Sequence, residues 1–267
     1  MNDKGIVTLA GGDIYFLNAY LNFRILRTIG CKLPMEWFYL GNEMKPEWIK
    51  KIKDTISEIE LIDLGNINKD NTKGNGGWQK KVESIIESSF NEILFLDADC
   101  FPIKDPSYLF NHEFFKTTGC VLFPDIHVWR EKEISFLNSK FNVSLPKRAV
   151  ESGQMIFNKE KCIDGLIKAR ELNRNSEDTY KVLYGDKDTF LIGMLQANCD
   201  FKVSPHLCDC FPPLNLYHRD FDGNLLFMHL TGAKFRHHGR PFIKRKYYPH
   251  IDLAIEIMKE LKFEKLI

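Results

Sequence analysis

Ile93-Leu94-Phe95-Leu96-Asp97-Ala98-Asp99-Cys100-Phe101-Pro102 is the stretch from which the rest of the chain can be read. Its four leading apolar residues suit a strand buried on both faces, as in a parallel sheet covered by helices. Asp97 and Asp99 follow two apart, and Pro102 and Pro106 stop a helix from starting at once. In extended backbone, residues i and i+2 point to the same side. Both carboxylates are therefore expected at one site at the carboxyl end of a strand, where open α/β sheets bind ligands. Two hard oxygen ligands suit Mg²⁺ or Mn²⁺, with substrate phosphates completing the octahedron. Aspartates that only cap a strand-end turn seldom follow so apolar a run.

Working back from this strand, residues 5–9 form a short apolar strand, and a Gly-Gly-Asp turn leads into a helix over residues 14–29. A second strand is predicted at 36–40, a helix at 45–57 and a third strand at 60–64. This β-α-β-α-β succession predicts a parallel sheet with right-handed crossovers. The polar loop 65–77 contains Lys73-Gly74-Asn75-Gly76-Gly77 but lacks the Gly-Lys-Ser/Thr ending of a phosphate-cradling loop. A helix over 78–89 then feeds the central strand.

Working forward, a helical turn is predicted at 107–110 and a strand at 119–123, with 125–150 mixed and charged. Glu151-Ser152-Gly153-Gln154 reads as a turn before a strand at 155–157. Helices follow at 161–172 and 189–197, and acidic residues at the start of the latter suit a positive helix end. Residues 208–249 are rich in loops, prolines, histidines and aromatics, and an amphipathic helix over 251–261 closes the sequence.

Hydrophobic residues make up 44% of the 267 positions and charged ones 27%, a globular balance that argues against disorder. A net charge of +1 provides no global field to draw in nucleic acid. No apolar run approaches the ~18 residues of a membrane span, and the first residues lack the apolar region of a signal peptide. The seven cysteines, an odd number, read as reduced thiols of a cytoplasmic protein, one that could sit peripherally at a membrane.

Taken together, these pieces resemble a nucleotide-sugar glycosyltransferase of the GT-A fold, in which Asp97-Ala98-Asp99 corresponds to the metal-binding Asp-x-Asp. The pattern is similar to the fungal α-1,3-mannosyltransferase type. There a Lys-bearing helix leads to Leu-x-Leu-Asp-x-Asp and then Asp-Pro-x-x-Leu-Phe, here residues 78–90, 94–99 and 105–110. Glu151-Ser152-Gly153-Gln154 and Gly185-Asp186-Lys187-Asp188-Thr189-Phe190 match its downstream blocks. A more distant similarity is to the glycogenin-like and bacterial galactosyltransferase group, whose late His-x-x-Gly-x-x-Lys is approached by His229-Leu230-Thr231-Gly232-Ala233-Lys234. This sequence is one residue shorter between Gly and Lys.

The resemblance implies an α/β fold in a single GT-A domain, with a mostly parallel sheet and the Asp-x-Asp at a strand end. It divides the chain into a nucleotide-binding half (1–110), a half for donor sugar and acceptor (111–250) and a C-terminal helix (251–267). It implies Asp97, Asp99 and His229 as ligands of Mn²⁺ or Mg²⁺, with Asp97, Lys80 and Lys234 at the diphosphate. Helix phase does not separate Lys80 from Lys81, and Arg236, His237, His238 and Arg240 follow Lys234 closely. Asp186 and Asp188 would orient sugar hydroxyls, and Gln154 would contact donor or acceptor. Lys187 stands where the galactosyltransferase group often has a neutral amide.

The implied reaction moves a hexose, with retention, from a GDP- or UDP-sugar to a glycan or other hydroxyl acceptor. A metal ion neutralises the departing diphosphate without proton transfer. Two rivals compete: a phosphatase with Asp97 as nucleophile, or a nucleotide-sugar-binding protein without catalysis. Phosphatases of that kind usually carry their Asp-x-Asp on the first strand, whereas here about 90 residues of β/α pattern come before it.

Overall fold

In the computed structural model, residues 3–67, 75–211, 215–232, 234–239, 243, 245 and 247–267 are described. The apolar runs become β1 (Lys4–Leu9), β2 (Met35–Tyr39), β3 (Ile59–Asp63) and β4 (Glu92–Leu96). Beyond the short β5 (Cys100–Pro102) come β6 (Cys120–Val128), β7 (Arg148–Asn158) and β8 (Lys202–Val203). Seven of these strands form one sheet in the order β3-β2-β1-β4-β7-β6-β8. The pairs from β3 across to β4 are parallel, and β7 runs antiparallel to both β4 and β6. A second, antiparallel sheet has the order β5-β11-β10-β9, built with β9 (Asp209–Phe211), β10 (Asn215–Arg219) and β11 (Leu225–His229).

The Ile93-to-Leu96 run is apolar throughout because both faces of the large sheet are covered. Leu94 and Leu96 pack into a core shared with α1 (Gly12–Thr28), while Ile93 and Phe95 pack into another on the opposite face. The first core continues past α2 (Pro46–Thr55) into the second sheet. The short α3 (Leu64–Ile67) follows β3, and α4 (Lys81–Glu87) leads into β4. Around β6 stand α5 (Glu113–Thr118) and α6 (Glu131–Phe141). The second core is closed by α7 (Lys159–Arg174) and α9 (Lys187–Gln196), with the short α8 (Ser176–Thr179) between them in the chain, and the first by α10 (Ile251–Phe263). Fully burying one such aliphatic or aromatic side chain contributes about 1.5–3 kcal/mol, so the two-sided strands anchor the fold.

Four expectations need correction. Asp97 to Cys100 is a turn, not extended strand, closed by the Cys100 N–H donating to the Asp97 carbonyl at 3.0 Å. The charged segment 125–150 contains α6, whose buried side is only Leu137 and Phe141, too narrow a stripe to read. Glu151 to Gln154 is not a turn but the buried middle of β7. The loop-rich last third holds β9, β10 and β11. No helix among the described residues is long and apolar enough to cross a membrane.

Candidate active site

The Asp-x-Asp turn carries the chain from one sheet into the other. Thr8 and Asn22 hold it from beneath: Thr8 Oγ1 donates to the Leu96 carbonyl (2.7 Å), and Asn22 Nδ2 to that of Cys100 (2.8 Å). Three residues past Asp97, β5 pairs with β11 so that Cys100 lies opposite His229. The Leu230 N–H donates to the Asp99 carbonyl at 2.9 Å. A separation of 130 positions in sequence is thus closed by one strand pairing. Ligand atoms of Asp97, Asp99 and His229 lie within 4.8 Å of one another.

Two lysines converge on the same acids. Lys81, the first residue of α4, places Nζ 3.0 Å from both the Asp97 and the Asp186 carboxylates and 2.9 Å from Ser152 Oγ. Burial opposes its charge, yet Asp186 and Asp97 hold its pKa above the usual lysine range. Lys234 forms an ion pair with Asp99 and donates to the Leu230 carbonyl (3.2 Å). Burial raises the Asp97 carboxyl against the pull of Lys81 and His229. At Asp99 burial is overridden by His229 and Lys234, which hold the carboxyl well below the usual range. His229 is buried too, but Asp99 and Glu151 on either side of the ring lift its pKa to about 10.

These groups floor a cleft of about 1300 Å³. Toward β1 and β2 it is lined by Leu9, Ala10, Gly11, Tyr15, Leu40 and Glu43. Toward β7 and β6 its lining includes Glu151, Ser152, Asp125, Trp129 and, beyond them, Tyr184 to Lys187.

The other expected residues divide. Asp186 lines the cleft, and its carboxylate accepts from Ser152 Oγ at 3.1 Å. Lys187 lines it as well, ion-paired with Asp125. Lys80 is buried and absent from the lining, and its neighbour Lys81 enters the cleft instead. Gln154 lies beneath the floor, with its Oε1 accepting from the Cys100 thiol (3.2 Å), because it sits at the Leu96 level of the β4/β7 ladder. Asp188 stands behind the wall, fully buried, with Oδ1 accepting from the Val150 N–H at 3.2 Å. Burial pushes its carboxyl up to about 7, against the pull of Lys187. Arg236, His237 and His238 do not line the cleft, and Arg240 is outside the described residues.

Sequence reasoning leaves Lys81 open as the alternative to Lys80, and the structure chooses it. Glu151 and Ser152 go unnoticed as site residues, because the block that holds them reads as a turn.

A family model described as "Mannosyltransferase putative" matches residues 3–139 and 132–216. The chain is 25% identical over 264 residues to the alpha-1,3-mannosyltransferase MNT3 of Saccharomyces cerevisiae, covering 82% of this chain and 41% of that protein. It is 29% identical over 239 residues to the alpha-1,2-mannosyltransferase MNN2 of the same yeast, covering 70% of this chain and 39% of the relative. The chain thus spans about two-fifths of the length of these curated relatives. Among solved structures, the bifunctional glycosyltransferase WbbM in its apo form is similar with a TM-score of 0.52 at 11% identity, over 74% of this chain and 38% of that one. The galactosyltransferase LgtC, in complex with donor and acceptor sugar analogues, has a TM-score of 0.50 at 15% identity, covering 71% and 70%.

Proposed function

Because the chain belongs to this putative mannosyltransferase family and has the GT-A fold, we propose that it transfers a hexose from a nucleoside-diphosphate sugar to a glycan hydroxyl, with a divalent metal ion and with retention of configuration. The observation that carries this reading is the meeting of Asp97, Asp99 and His229 on the cleft floor. Two carboxylates and an imidazole suit Mn²⁺ better than Mg²⁺, which prefers oxygen. When bound, such an ion neutralises charge growing on the departing diphosphate. Lys234, and Lys81 in the role first given to Lys80, add positive charge at the same place.

Sheet order supports the division of labour between residues 1–110 and 111–250. With β4 in the middle, the nucleotide lies toward β1 and β2, and the donor sugar and acceptor toward β7 and β6. The nucleotide end is apolar, flanked by Leu9, Leu40 and the Tyr15 ring, as a flat base requires. Glu43 closes it, lying across Gly11, where a Cβ would come within 2.5 Å of its Oε2. Its carboxylate has no hydrogen-bond or ion partner among the described residues, and burial raises its pKa. A carboxylate accepts from two adjacent donors, which guanine presents at N1 and N2, whereas uracil presents one donor between two acceptors. A guanine nucleotide is the donor favoured by this end.

At the sugar end every carboxylate is committed: Asp125 to Lys187, Asp186 to Lys81, Glu151 to His229 and Glu133 to Arg130. None among the described residues stands free as a general base for an acceptor hydroxyl. This favours front-face attack, in which the acceptor oxygen bonds to the anomeric carbon as the phosphate oxygen leaves and takes the acceptor's proton. The exposed rings of Trp78 and Tyr184 in the cleft offer flat faces to a sugar acceptor. All seven cysteines are free, which supports a reducing compartment.

The test is thermal unfolding with GDP, UDP or CDP, each with and without Mn²⁺, followed by GDP-mannose with an α-mannoside acceptor. GDP with Mn²⁺ is expected to stabilise by about 2.7 kcal/mol at a hundredfold excess over Kd, and an α-linked product should appear by NMR. Glu43→Gln should weaken GDP roughly tenfold and leave UDP unchanged, the worth of about 1.4 kcal/mol. Absence of stabilisation by any nucleotide, or full turnover in excess chelator, would defeat the reading.

A further inference from the structure

The Glu151-Ser152-Gly153 run serves two sets of partners, as alternation along a strand allows. Ser152 turns to Lys81 and Asp186. Glu151 and Gly153 turn to His229. A Cβ on Gly153 would fall 2.4 Å from Nδ1 and 2.5 Å from Cε1 of the imidazole, so the ring lies against backbone where only glycine leaves room. Glu151 Oε2 stands 3.1 Å from the same Nδ1, and both residues are buried, at 8% and 6% exposure. On the other side of the ring, Nε2 faces Asp99 at 3.5 Å and Asp97 at 3.8 Å.

We propose that Glu151, with Gly153, is a positioning residue that fixes the tautomer and plane of His229 for metal binding. Nδ1 donates its hydrogen to the carboxylate, which leaves the Nε2 lone pair for the ion beside Asp97 and Asp99. The anionic partner also makes Nε2 a stronger donor, as carboxylates behind metal-bound histidines do. Glu151 does not share that ion, since it meets the opposite edge of the ring. The inference rests on the metal-site reading above and adds to it the reason for a buried acid in a stretch that sequence alone reads as a turn.

One competing use of Glu151 has support of its own. Glu151, His218 and His229 also bring ligand atoms within 4.8 Å of one another. His218 is buried with neither ring nitrogen partnered among the described residues. An ion on that side would have to displace the Nδ1 hydrogen, whereas the 3.1 Å separation is that of a hydrogen bond.

The experiment titrates Mn²⁺ into the full chain with GDP present, reading free Mn²⁺ by electron paramagnetic resonance, alongside ¹⁵N NMR of the histidines with diamagnetic Zn²⁺, which readily takes an imidazole ligand, in its place. Wild type should bind one ion with affinity lost in Asp99→Asn, and His229 should carry its proton on Nδ1. Glu151→Ala should weaken Mn²⁺ by about 10- to 100-fold and scramble the tautomer, and Glu151→Gln, which still accepts from Nδ1, should recover part of the loss. If the alanine variant does not fold, the isosteric Gln variant decides alone, with a several-fold weakening expected. Unchanged affinity in a folded Glu151 variant overturns the proposal while leaving the metal site standing. So does a second ion, or a single ion that survives Asp99→Asn and is lost in His218→Ala. A wild type that binds no Mn²⁺ overturns both readings together.

Discussion

Asp99 joins the turn after β4 to the second sheet: Lys234 pairs with it, His229 faces it, and its carbonyl accepts from Leu230. Asp99→Asn keeps the shape and removes the charge. We expect it to cut transfer at least about 100-fold, measured as product formed from GDP-mannose, while the unfolding temperature without ligand stays near wild type. Turnover within a few-fold of wild type would take the metal role away from Asp99. Asp188 makes a contrasting case. It reads from the sequence as a sugar ligand, yet it is buried behind the wall, and its carboxyl is raised from 3.8 to about 7. A carboxyl with a raised native pKa prefers to be neutral in the fold. Its stabilising preference is complete below about pH 4, in the protonated form, and is lost as pH rises through 7. Asp188→Asn should therefore raise the unfolding temperature at pH 8 and change it little at pH 4.5. An equal effect at both pH values would show that the carboxyl titrates normally in the fold.

Elements differ in how openly the sequence announces them, and burial explains which do. The first four strands of the large sheet are legible because they are apolar on both faces, as Ile93 to Leu96 are. β7 is hidden because its central residues, Glu151, Ser152 and Gln154, are polar and buried, their partners being His229, Lys81 and Cys100 from distant segments. No local pattern separates such a strand from a turn, since the partners that satisfy it are far away in sequence. The Lys80 and Lys81 ambiguity has a similar origin, because a 3₁₀ turn (Asn75–Lys80) precedes α4 and shifts the phase that a continuous helix would have. Close packing of α7 on α9 gives an element-scale test. A Cβ on Gly193 would lie 2.4 Å from the Gly165 carbonyl oxygen and 2.7 Å from the Ala169 nitrogen, backbone atoms that cannot swing aside. Gly193→Ala should destabilise by roughly 1–3 kcal/mol in urea unfolding, despite the better helix propensity of alanine. A more stable variant would mean that the two helices separate at little cost.

At the scale of the whole molecule, two sheets meet at four residues, Asp97 to Cys100, and the proposed metal ligands are drawn from both sides of that junction. Asp97 and Asp99 come from the turn that ends β4, and His229 from the end of β11. Lys81 and Lys234 repeat the arrangement, one reaching in from α4 and the other from beyond the second sheet. A ligand that engages all five should therefore couple the sheets, and its effect should reach segments distant from the nucleotide in sequence. Hydrogen exchange can read this directly. With GDP and Mn²⁺, slower exchange is expected both at residues 97–100 and in β11 with the residues around Lys234, because opening either side would now cost ligand binding as well. With GDP in excess chelator, protection should remain at the nucleotide end, around Gly11 and Glu43, and disappear from β11. The His229→Ala variant should behave in Mn²⁺ as the wild type does in chelator. Protection confined to the first 110 residues under every condition would mean that the second sheet only roofs the cleft and contributes no ligand to it.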